Sequence, residues 1–72
     1  MTLYEKVRYL CKRNGINMKI LEKELGFGNG TISRWKTSIP SADRVVKVAK
    51  YFNVTTDYLL GLSEILTPSF RA

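Results

Sequence analysis

Residues 18–37 read MKILEKELGFGNGTISRWKT, and the fold turns on this stretch. Met18, Leu21 and Leu25 recur at helical spacing, with Asn17 placed to cap the start and Gly26 to stop the end, which predicts a helix over Met18–Leu25. Gly26, Phe27 and Gly28 form a tight connection with Phe27 turned inward. Beyond it, Ile32 and Trp35 stand three apart and make the inner face of a second helix over about 29–36. Two helices joined by so short a turn must cross steeply. At 1.5 Å per residue the second helix would be about 12 Å long, close to the ~12 Å width of the B-DNA major groove.

With Ile32 and Trp35 inward, the outer face of that helix holds Gly30, Ser33, Arg34 and Thr37, with Asn29 and Thr31 at its flanks. The chemistry suits a base edge. Arg34 can pair bidentately with guanine O6 and N7, Asn29 with adenine N6 and N7, and Thr31 or Ser33 can reach a base, a phosphate or a thymine methyl. Lys36, Thr37 and Ser38 are placed for backbone phosphates, as are Lys19 and the amides opening the 18–25 helix. Trp35 shares the inner face with Ile32 and is read as core, not as a stacking platform.

Working outward, Leu3, Val7 and Leu10 follow four-then-three spacing, predicting a helix over about 2–14 with Thr2 as cap, Gly15 as terminator and Cys11 at the edge of the apolar stripe. After the loop 37–40, Ser41 can cap a helix carrying Val45, Val48, Ala49 and Phe52 and closing near Asn53. Thr55 can cap a short helix, Thr56–Leu60, ended by Gly61. The expected domain covers 1–61. The tail 62–72 contains Ile65, Leu66 and Phe70 but also Pro68, and is expected to add at most one helical turn and to be partly flexible.

The 72 residues suffice for one domain that buries about 60% of its unfolded surface, with no room for a cleft between domains. Twelve lysines and arginines against six acidic residues give a formal charge of +6, which favours a polyanionic partner, nucleic acid first. There is one cysteine and no histidine, so no disulfide framework and no Cys/His zinc site can be built, and a reducing compartment is implied. No base, nucleophile pair or metal cluster is evident, so neither an enzyme nor a cofactor is expected. Signal peptide and membrane span are absent from the pattern. The positive charge is spread over the first four helices, unlike a membrane-surface helix.

Three segments, LEKELGFGNGTISRWK (21–36), SADRVVKVAKYFNV (41–54) and TTDYLLG (55–61), resemble the Cro and CI repressor type of helix-turn-helix domain found in temperate phages and bacterial regulators. The likeness runs over about residues 3–61, and the DYLLG ending is similar to many Gram-positive phage versions. It implies an all-α, compact five-helix lambda-repressor-like domain with the helix-turn-helix at helices 2 and 3. The third helix would then enter the major groove, and the second would cross the backbone.

The chain departs from the family pattern at named places. Met18 stands where a phosphate-anchoring glutamine is frequent and cannot donate a hydrogen bond. Glu22 replaces a small residue between the two helices and is expected to point sideways or find a cation. Gly28 replaces the usual Ser or Thr cap, and Gly30 offers no side chain in the middle of the reading face.

Two functions follow as expectations. One is repression of a phage lysis/lysogeny switch by binding double-stranded operator DNA, with a homodimer or a helper supplying affinity that a single small module lacks. The other is an anti-repressor or co-repressor that binds a phage CI-type repressor, as the resemblance to small modulator-of-repression proteins implies. Either places the protein in the cytoplasm of a bacterial host, at the nucleoid, with no membrane partner.

Overall fold

A computed structural model describes residues 2–61, and the expectations for 62–72 lie outside the described residues. Within them the chain forms α1 (Leu3–Arg13), α2 (Met18–Leu25), a four-residue 3-10 helix (Ser33–Lys36), α3 (Ala42–Phe52) and α4 (Thr56–Leu60), with no strand.

Local chemistry sets most of these boundaries. Thr2 and Glu5 form a capping box at α1: Glu5 N–H donates to Thr2 Oγ1 at 3.2 Å, and Thr2 N–H to Glu5 Oε1 at 2.8 Å. The bond from the Thr2 backbone holds the Glu5 carboxyl below its ordinary range. Asn17 Oδ1 accepts from Ile20 N–H at 2.8 Å to start α2, and Gly26 ends it in the left-handed region at φ 73°. Thr55 Oγ1 accepts from Tyr58 N–H at 3.0 Å to start α4.

Ser41 occupies the cap position of α3 without accepting an N–H bond. Its hydroxyl bonds instead to Asp43, whose carboxyl is held low by that bond. Asn53 closes α3 in the left-handed conformation, φ 56°.

The expected five α-helices become four plus the 3-10 helix, because the helix predicted over 29–36 does not form as such. Residues 29–32 are turns, and Gly30 sits at φ 76°, a left-handed conformation that cannot continue a right-handed helix. The bonds that follow are mixed: Thr31 N–H to Gly28 O at 3.2 Å and Trp35 N–H to Ile32 O at 2.9 Å span three residues, while Arg34 N–H to Gly30 O at 3.3 Å spans four. At about 2 Å per residue the 3-10 helix is about 8 Å long, shorter than the α-helix predicted there.

Val7, Leu10, Cys11, Leu21, Ile32, Trp35, Val45, Val48, Ala49, Val54, Tyr58 and Leu59 form one core drawn from every element. The inward pair Ile32 and Trp35 sits in it as the spacing predicted. Helix α1 packs against α2, the 3-10 helix and α4, and α3 against α4. Lys6 ties α1 to α4: its Nζ donates to the Tyr58 carbonyl at 2.8 Å and lies 5.0 Å from that ring's centre. No described helix is long and apolar enough to cross a membrane.

Candidate nucleic-acid interface

The segment 29–38 is presented by two attachments. Ile32 and Trp35 anchor it from below in the core. From the side, the carboxylate of Glu22 accepts N–H bonds from Gly30 at 3.3 Å (Oε1) and Ile32 at 2.9 Å (Oε2). Glu22 is only 5% exposed. It therefore neither points sideways to solvent nor relies on a cation for these two oxygens: it turns inward, and backbone dipoles offset the cost of burying its charge.

On this scaffold Asn29, Gly30, Ser33, Arg34, Lys36, Thr37 and Ser38 are exposed, as is Lys19 on α2. Thr31 is not. It is 5% exposed, and its hydroxyl donates to the Gly28 carbonyl at 2.7 Å, serving the turn in place of a missing Ser or Thr cap. The outer face predicted for 29–36 is thus re-cut: Gly30 belongs to the turn and not to a helix interior, and Thr31 faces inward. Lys36 leans back toward α1, its Nζ 5.1 Å from the centre of the Tyr4 ring. Thr37 Oγ1 lies 3.4 Å from the Arg34 carbonyl, to which it donates.

Arg34 lines a cleft of about 360 Å³ whose other walls include Ser38, Pro40, Ser41 and Arg44. Two guanidinium-bearing side chains from different elements therefore border one opening. Sequence reasoning missed Arg44, which is exposed and lies 5.5 Å from the Phe27 ring centre. The signal was present: Arg44 is a basic residue in the first turn of the helix that follows the reading segment. A second basic strip, Arg8 and Lys12 of α1, lines an opening of about 270 Å³ together with Tyr4, Asn17 and Met18 at the start of α2.

Cys11 contributes no reactive group here. Burial pushes its thiol up to about 11. Among the described residues no group of three or more Cys, Asp or Glu side chains is placed to hold a metal ion.

Helix α2, a tight glycine turn and a core-anchored 3-10 helix with a polar, arginine-bearing outer side define a helix-turn-helix protein. A family model described as helix-turn-helix matches residues 7–59, most of the chain. The chain belongs to this helix-turn-helix family, of the Cro and CI repressor type. It is similar to the HTH-type transcriptional regulator ImmR of Bacillus subtilis (strain 168), with 30% identity over 67 residues. That alignment covers 90% of this chain and 53% of the relative, so the chain spans about half the length of the curated relative it matches. No solved structure gives a significant match.

Proposed function

We propose that this chain is a DNA-binding transcription regulator that recognises operator DNA in the major groove through the segment 29–38, in a phage lysis/lysogeny switch. The observation that carries this reading is the exposed set Asn29, Ser33 and Arg34 on a segment fixed to the core by Ile32 and Trp35. Membership of the helix-turn-helix family, the +6 charge and the relative's designation as a transcriptional regulator support it. In this reading Arg34 and Asn29 meet base edges, and Lys19, Lys36, Thr37, Ser38 and Arg44 meet phosphates. Gly30 brings backbone close to the duplex, and Thr31 acts by shaping the turn. The working compartment is the bacterial cytoplasm, at the nucleoid.

The test is a mobility-shift titration against the neighbouring intergenic DNA at near-physiological salt, since salt governs every such affinity. The wild-type protein is expected to give a specific shift, and Arg34→Ala to cost about 1–3 kcal/mol of it. An unchanged shift with Arg34→Ala refutes the assignment of Arg34 to a base.

A second reading, binding to a phage CI-type repressor as an anti-repressor or to a second copy of the chain, is favoured by one surface. Pro40, Ala42, Val45, Val46, Thr56 and Leu60 line an apolar groove of about 290 Å³, and Ile39, which precedes Pro40 in the chain, is 89% exposed. Adding the partner repressor to the same titration separates the readings. Loss of the repressor's shift, with none by this protein alone, supports the protein-binding mode.

A further inference from the structure

Glu22 belongs to α2, yet both of its oxygens serve backbone eight and ten residues further along the chain. The left-handed turn at Gly30 directs neighbouring amides to one side, as in the concave backbone sites that bind anions. Here the anion is the protein's own carboxylate. Ile32 is fully buried, so water cannot reach its N–H, and an acceptor must come from within the fold. Leu21, also fully buried and adjacent to Glu22, fixes the α2 backbone from which that carboxylate reaches out.

We propose that Glu22 is a positioning residue for duplex recognition. Its carboxylate sets the place of 29–36 before DNA arrives, so that Asn29, Ser33 and Arg34 meet the groove as one rigid group. This rests on the DNA-binding reading of the same segment. Glu22 is buried and negative, so it acts through the segment and not on DNA. A segment ordered in advance loses less conformational freedom on binding, which raises affinity without any added contact.

A carboxylate suits this task better than a carboxamide. It presents two acceptor oxygens to two N–H groups, whereas glutamine presents one oxygen and sets an NH2 against the remaining amide.

The test uses Glu22→Gln and Glu22→Asp in the full chain. The probes are a duplex enriched by the wild-type protein from a random-sequence library and a scrambled control duplex. For Glu22→Gln, helical circular dichroism is expected to persist while hydrogen exchange at Gly30 or Ile32 quickens by about tenfold or more. Affinity for the enriched duplex is expected to fall about tenfold, with the scrambled duplex bound as before. Glu22→Asp, which keeps the charge but shortens the reach, is expected to fall between the two and carries the comparison if the glutamine variant does not fold.

Unchanged exchange at both amides overturns the latch, and quickened exchange with undiminished affinity for the enriched duplex overturns its role in recognition. A wild-type protein that enriches no duplex defeats the DNA-binding reading itself, and the recognition role with it. The exchange data still decide the latch.

Discussion

Phe27 meets Trp35 edge to face, with ring centroids 6.0 Å apart and planes at 62°. One ring comes from the turn after α2 and the other from the 3-10 helix, so the contact closes the helix-turn-helix on itself. Phe27, expected to turn inward, is half-buried and packs against the core, and Arg44 covers part of what remains exposed. Phe27→Ala is expected to lower unfolding free energy by about 2 kcal/mol, combining partial loss of apolar burial with loss of the aromatic pair. Trp35 is the chain's one tryptophan, so its emission during urea titration reports the change directly.

Gly30 separates backbone from side-chain effects. A Cβ added there would meet nothing within 4 Å, yet φ is 76°. Gly30→Ala is therefore expected to cost about 1 kcal/mol through backbone strain alone, and Gly30→Asn less, because asparagine tolerates the left-handed region. Denaturation midpoints at constant slope measure both, and equal costs for the two would refute the backbone explanation.

What could be read in the sequence, and what could not, follows the range of the interactions. Thr2, Asn17, Gly26, Thr55 and Gly61 act within three or four residues of themselves, and from them α1, α2 and α4 were placed nearly to the residue. The inward side of 29–36 was also legible, because Ile32 and Trp35 announce it. The state of that segment was not. Helical spacing hid the left-handed Gly30 and, with it, the short-range bond from the Thr31 hydroxyl to the Gly28 carbonyl, and nothing local shows that Glu22 takes the amide of Ile32. Lys36 drawn toward Tyr4 and Arg44 drawn toward Phe27 likewise depend on elements distant in sequence.

Cys11 gives a prediction in pH. Its thiol is raised from 9.0 to about 11 by burial, so the folded state holds its proton where the unfolded chain releases it. The resulting stability is fully present below about pH 9 and is lost as pH rises through about 11. Near neutral pH the thiolate fraction is cut about a hundredfold, so reaction with a disulfide reagent is expected to track unfolding. Stopped labelling in rising urea measures this. Rapid labelling of the fully folded protein would contradict the buried placement.

Arg34 and Arg44 border the same cleft but come from different elements, which makes their substitutions diagnostic of different work. If Arg44 meets a phosphate, Arg44→Ala weakens binding to enriched and scrambled duplexes by the same factor. The slope of log affinity against log salt then falls by about one, because one fewer counterion is released. If Arg34 reads a base, Arg34→Ala lowers affinity for the enriched duplex far more than for the scrambled one. Folding controls for the two also differ: Arg44→Ala removes the cation over the Phe27 ring and is expected to cost about 0.5–1 kcal/mol of stability. Affinity measured at several salt concentrations separates these patterns. A selective loss with Arg44→Ala and a uniform loss with Arg34→Ala would exchange the two roles and move the reading face onto the first turn of α3.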